Sequence, residues 1–234
     1  MNNISPTPAS ALRLWQLISP ALPVGAYAYS QGLESACELG WVSDEASAQE
    51  WIQGLLSHSI APLDIPIFER MYRAWQNEDL VNVTYWNQFL LASRESMEIK
   101  KEDIQLGYAL RRLLVDLHEW DARDTQGQHA HGRSDEYSYA CWFAYAAQHW
   151  HIPVTDAANG YCWAWSENQV AAAIKLIPLG QTAGQRILSH VLQRIPAAVT
   201  QGLDLQDDDI GSTLPGLAIG SALHETQYSR LFRS

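Results

Sequence analysis

No stretch of the sequence approaches the ~20 consecutive apolar residues that cross a bilayer, and no secretory leader opens it. A soluble, cytoplasmic protein without membrane association is expected. Cysteine is scarce. Cys37, Cys141 and Cys162 are odd in number, far apart and form no CxxC pair. That excludes a zinc knuckle and a disulfide framework, and the three read as buried reduced thiols. Also missing are an HExxH motif, a hydrolase elbow, a glycine-rich phosphate loop and a catalytic Cys-His arrangement. No pair of carboxylates is placed as acid and base. These absences point away from an enzyme and toward a scaffold or adaptor.

Basic residues are few: 15 lysines and arginines stand against 26 aspartates and glutamates, a net charge of -11. A field of that sign repels phosphate, so nucleic acid is not an expected partner, whereas cations and basic protein patches are favoured. Phenylalanine is rare too, with four residues against ten tryptophans and ten tyrosines. Rings with a polar tip suit half-buried surfaces, interfaces among them.

What is present is a helical period. Ala11, Leu14, Trp15 and Ile18 repeat at three and four. So do Ala48, Trp51, Ile52, Leu55 and Leu56, then Phe68, Met71, Tyr72 and Trp75. Leu106, Leu110, Leu113, Leu114 and Leu117 form another set, and Ile187, Leu188, Val191, Leu192 and Ile195 a further one. Each set places one apolar stripe on a helix, and no alternating strand competes. Ser43 and Asp44 are candidate caps, and Ser212 and Thr213 precede Pro215 at a first helical turn. Breakers fall at residues 20–25, at Pro62 and Pro66, at Gly127 and Gly132, at Pro153, at Pro178 and Gly180, and over residues 202–209. The expectation is a single all-α domain over residues 1–234, a bundle of roughly nine or ten helices joined by short loops.

Residues 137–150 and 170–180 are apolar nearly all round, which places them in the centre of a core or under a partner. Together with the small residues Ala171 to Ala173 they suggest a two-fold dimer. Residues 119–136 are polar and read as an exposed loop. Within it His129 and His131 could chelate a metal weakly, as could His149 and His151, but a closed site needs more ligands. Asp204, Asp207, Asp208 and Asp209 lack the calcium-loop spacing and read as solvated, helix-terminal acids. Lys175 is the only charge in "VAAAIKLIPLG". Its ammonium either reaches water along the helix edge or meets a carboxylate on a partner. The stretch "SPALPVGAYAYSQGLE", residues 19–34, combines a rigid turn with Tyr27, Tyr29, Leu33 and Glu34, the aromatic-plus-charge mix of an interface. The last eleven residues, "HETQYSRLFRS", are basic and apolar in an otherwise acidic chain.

Those two stretches, together with "KLIPLGQTAGQRIL" (175–188) and "DIGS" (209–212), resemble the UreF family of urease accessory proteins, over residues 12–234. The resemblance implies an all-α, dimeric protein that is not an enzyme. It implies binding to UreD (also called UreH) and recruitment of the GTPase UreG, with the assembly installing nickel in urease apoprotein. Nickel would then be handled by the assembled complex and not held tightly by this chain. By the same resemblance, Glu34 and Lys175 belong to a UreG-facing surface. Tyr29 and Arg230 serve formation of the full complex, and residues 224–234 order against UreD. In that tail Tyr228, Leu231 and Phe232 are the expected anchors, and Arg230 and Arg233 the expected hydrogen-bond donors. The tail is expected to be mobile or only partly packed until UreD binds. An independent nickel storage protein and a hydrolase are the rival readings.

Overall fold

The computed structural model describes residues 8–120 and 136–234, and all regular structure among them is helical. Eleven α-helices follow one another: α1 (Ala9–Leu17), α2 (Leu33–Glu38), α3 (Glu45–Leu55), α4 (Ile65–Gln76), α5 (Leu80–Ala92), α6 (Met97–Asp116), α7 (Tyr139–His149), α8 (Val154–Leu176), α9 (Gln181–Leu192), α10 (Ile195–Asp204) and α11 (Pro215–His224). A π-helical stretch, Leu56–Asp64, joins α3 to α4 without interruption, so residues 45–76 form one rod and the described chain ten helical rods.

The apolar stripes account for the packing. The buried side of α4 carries Phe68, Met71, Ala74 and Trp75, and it lies against α5 and α7. Phe68, Phe143 and Tyr161 meet ring to ring with centroids 5.5–5.9 Å apart, tying α4, α7 and α8 together. Much of the tryptophan is internal: Trp75, Trp120 and Trp142 cluster with Tyr145, largely edge to face. Such pairs add ~1 kcal/mol each beyond their burial. The all-apolar α7 is covered by α4, α6 and α8 of its own chain, and Ala172 and Ala173 are buried under their own neighbours. These features therefore give no support to a dimer, contrary to the use the sequence reading made of them.

Helix starts follow local chemistry. Asp44 accepts the Ser47 N–H at 2.8 Å, and Ser47 returns a bond to the Asp44 N–H, a reciprocal cap. Asp79, Ser96 and Ser138 cap α5, α6 and α7 more simply, each side chain accepting one N–H of the first turn, at about 1 kcal/mol each. At α11 the expected caps fail: neither Ser212 nor Thr213 caps the helix, which opens with Leu214 and Pro215.

Pro62 and Pro66 were expected to break the chain into separate helices. They do not. Pro66 lies at the start of α4 but inside the continuous rod, and Pro62 lies within the wide π turns. The Pro62 carbonyl accepts the Gly211 N–H at 3.1 Å, which docks the "DIGS" block onto the rod. The break after Lys175 is where the sequence put it: α8 ends at Leu176, and Ile177 is extended.

Candidate partner-binding site

Of the separated blocks that carry the family resemblance, residues 19–34, Lys175 and residues 224–234 come together, while residues 209–212 dock elsewhere, on the rod at Pro62. Gly25, at φ 82°, turns the chain into a short 3-10 helix (Ala26–Ala28) ahead of α2. Gly32, at φ 78°, starts α2 so close to α11 that a side chain there would press on Leu217 and the Ser221 main chain. This brings the start of α2 beside residues 224–234.

Those residues follow the body of the protein through main-chain bonds. The Arg233 N–H donates to the Ala28 carbonyl at 2.9 Å, and the Ser30 N–H and hydroxyl both donate to the Ser234 oxygen, at 2.9 and 2.5 Å. Glu34 accepts the Leu231 N–H on one oxygen at 2.6 Å and the Phe232 N–H on the other at 2.9 Å. Phe232 and Ser234 are buried, and the Ser234 hydroxyl donates to Glu102 at 2.6 Å. Tyr228 is fully exposed and Leu231 64% exposed. The segment is thus attached along one edge and open along the other. Of the three expected anchors, Phe232 alone serves within the chain, while Tyr228 and Leu231 face outward.

His224 lies beneath the segment with no exposed surface. Its Nδ1 is 2.6 Å from Glu98 Oε2 and its Nε2 is 3.1 Å from Glu34 Oε2. Arg230 donates to the other oxygen of Glu98 at 2.5 Å, through one nitrogen of its planar fork. The sequence reading placed Glu34 on an outward surface, and this is corrected: the residue is 7% exposed and its carboxylate is spent on the segment and on His224. Tyr29 is buried likewise. Its hydroxyl donates to Gln105 at 2.5 Å, and its carbonyl accepts from Asn168 at 3.2 Å. Lys175 is exposed, and its Nζ stands 5.9 Å from the Tyr27 ring centre and 5.5 Å from that of Phe232. The Arg233 side chain points into solvent.

Behind the segment lies an acidic interior. Gln31 donates to Glu102 at 2.8 Å and accepts from the Trp165 indole at 2.7 Å. Burial pushes the Glu102 carboxyl up to about 7, against the opposing pull of its bonds from Ser234 and Gln31. A cavity of about 90 Å³ is lined by Glu102 and by a buried ion cluster. In that cluster Arg94 bonds both oxygens of Asp64 at 2.7 and 3.1 Å and reaches Asp103 at 2.6 Å. Tyr161 donates to Asp64 at 3.2 Å, and the Tyr139 N–H to Asp103 at 2.8 Å. Burial raises the Asp103 carboxyl, and Arg94 opposes it. For Arg94 burial works against the charged form, yet the two aspartates hold the guanidinium well above its ordinary value.

Sequence reasoning missed His224, Glu98 and Glu102. A signal for Glu102 existed, since Glu102 and Asp103 fall on the stripe that runs from Ile99 to Leu106 and Leu110 of α6. No group of three or more His, Cys, Asp or Glu side chains among the described residues is arranged to hold a metal ion. His129 and His131 lie outside the described residues. No helix among the described residues is long and apolar enough to cross a membrane.

The comparison that decides the family is a match of residues 42–192 to the sequence model of UreF. The chain belongs to the UreF family of urease accessory proteins. Relatives called urease accessory protein UreF agree with it over nearly their full length. That of Alkalilimnicola ehrlichii is 51% identical over 222 residues, covering 95% of each chain. The UreF proteins of Psychrobacter cryohalolentis and Marinobacter nauticus are each 48% identical, over 226 and 223 residues, with 95% of this chain and 94% of theirs covered. Both the early block around Glu34 and the last residues of this UreF chain lie outside the stretch matched by the family model, and the fold joins them to it.

Proposed function

We propose that this UreF-family protein is a non-enzymatic maturation factor for urease. Bound to UreD (UreH), it recruits the GTPase UreG and gates the transfer of nickel into urease apoprotein. In this reading it is a cytoplasmic homodimer, and nickel is cargo of the assembled complex, not a resident cofactor of this chain. One observation carries the reading. Residues 225–234 are fixed to the body by Glu34 and Phe232, yet present Tyr228, Leu231 and Arg233 outward. An exposed aromatic-aliphatic-arginine set on a braced backbone is the kind of surface that forms the centre of a protein interface. Bracing also lowers the ordering cost of binding, about 1–2 kcal/mol per backbone residue fixed in advance.

Tyr29 and Glu34 then act from beneath, by holding the segment, and Lys175 acts from the rim. The test is a pull-down with UreD and UreG using a chain that lacks residues 228–234, checked first for normal helicity. Capture is expected to fail. Capture at the level of the intact protein would dismiss the segment as the partner site. A nickel titration of the isolated protein addresses the storage alternative, since tight stoichiometric binding would favour it.

A further inference from the structure

Both ring nitrogens of the buried His224 face carboxylate oxygens, Glu98 Oε2 at 2.6 Å and Glu34 Oε2 at 3.1 Å. Each contact needs a hydrogen between nitrogen and oxygen. A neutral imidazole carries one such hydrogen, so one contact would set a nitrogen lone pair against a carboxylate oxygen at a ring that has no exposed surface. The carboxylates are committed as acceptors elsewhere. Glu34 takes the Leu231 and Phe232 N–H groups, and Glu98 takes Arg230. The three groups therefore hold one proton more than two carboxylates and a neutral imidazole would. With that proton the cluster formed with Arg230 is neutral overall. Without it a net negative charge is buried under the segment.

From this geometry we infer that Glu34, His224 and Glu98 form a proton-dependent latch, in which loss of one proton releases residues 225–234 from the body. The latch is a device of this chain alone and does not depend on the identity of any partner. Its sign is definite. The proton is present in the docked state and is lost as pH rises, so docking weakens toward alkaline pH.

The second fastening point acts in the same direction. Glu102 receives the Ser234 hydroxyl, and burial pushes its carboxyl up to about 7 from an ordinary 4.5. Over that interval the buried carboxyl must stay protonated or carry an unfavourable charge, so the docked state loses ground as pH rises through it. The other charged and titratable neighbours are few. Cys37 lies beside Glu34, and burial together with that charge pushes its thiol up to about 11, so it stays neutral across the relevant range. Glu225 accepts the Glu98 N–H at 3.3 Å, and Lys175 touches the segment only through the Phe232 ring. Around Glu102 stand Arg94 and Asp103, already paired with each other.

Hydrogen exchange of the full-length protein read by mass spectrometry tests the latch, with rates corrected for the intrinsic effect of pH. Protection of residues 225–234 should fall roughly tenfold or more between about pH 6 and about pH 8.5, while that of α7 is unchanged. Equal protection at the two pH values would overturn the inference. So would a parallel loss in α7, which would mean global unfolding. His224→Gln, which cannot carry the extra proton, should leave the segment poorly protected and with only the smaller pH effect that Glu102 contributes; a wild-type profile in this variant would refute the latch. Glu102→Gln should keep most of the pH effect. A flat profile there would assign the effect to Glu102 and remove His224 from the account. The wild-type measurement stands by itself if either variant fails to fold.

Discussion

The ammonium of Lys175 stands 5.5 Å from the centre of the Phe232 ring, so the loneliest charge of the sequence meets the most deeply buried ring of the last segment. Tyr27 flanks the same ammonium at 5.9 Å. Neither ring supplies a counter-charge. Within this chain the side chain follows the first of the two alternatives drawn from the sequence: it reaches solvent, and it does so over aromatic faces.

Cation–π contacts at exposed sites contribute ~0.5–1 kcal/mol, so Lys175→Met should cost no more than about 1 kcal/mol in urea denaturation. If the rim reading is right, the same variant keeps UreD and loses much of its UreG recruitment in a pull-down. Undiminished UreG capture by Lys175→Met would assign the residue to packing alone.

Glu34 and Arg230 should separate in the opposite way from what surface charge suggests. Glu34→Gln removes the carboxylate that binds two main-chain N–H groups and His224, two of these three partners buried, and should cost about 2–4 kcal/mol of segment docking. Arg230→Ala breaks one half-exposed ion pair with Glu98, for about 1 kcal/mol or less. Because Arg230 uses a single nitrogen there, Arg230→Lys should retain most of the docking. Exchange protection of residues 225–234 in the three variants measures all of this.

Arg94 is the least replaceable charge in the interior. Arg94→Met leaves Asp64 and Asp103 buried without their partner and should destabilise the fold by about 3–5 kcal/mol. Adding Asp64→Asn and Asp103→Asn should return part of that loss, because the uncompensated charges are then gone. Urea midpoints of the single and triple variants at neutral pH decide it, and a triple variant weaker than the single one would contradict the electrostatic explanation.

Two glycines give opposite expectations for the same substitution. A Cβ at Gly107 would stand 2.2 Å from the Tyr137 carbonyl oxygen, so Gly107→Ala must push α6 away from the start of α7, at about 1–3 kcal/mol. Gly54 in α3 has open space around it, so Gly54→Ala should stabilise by up to about 1 kcal/mol. Thermal melts of the two variants should move in opposite directions.

Much of the fold was legible because burial in this chain is a local, periodic property. The stripes on α3, α4, α6 and α9, the Asp44 cap and the end of α8 after Lys175 all follow from residues within two turns of each other; on α1 the expected stripe fails, since Trp15 is 58% exposed and Leu17, outside the expected set, is the buried residue. The site was legible only through the blocks that resemble the UreF family. Its physics was hidden, since a glutamate on a helix edge looks the same whether it faces water or a chain segment. The partners of Glu34 lie 190–198 residues away. The Asp64–Arg94 pair spans 30 residues, beyond any helical spacing. Pro62 misled for a related reason: a missing N–H breaks an α-helix but is tolerated where the turns are already wide.

Those wide turns also set the phase of the long rod. An i to i+5 pattern advances each residue by a smaller angle than an α-helix does, so the stripe on α3 and the stripe on α4 do not lie along one line. The first half of the rod faces α8 and α9, and the second half faces α5 and α7. Residues 56–64 act as a splice that lets one uninterrupted helix pack against two different sets of neighbours, and Asp64, the last residue of the splice, is bound there by Arg94.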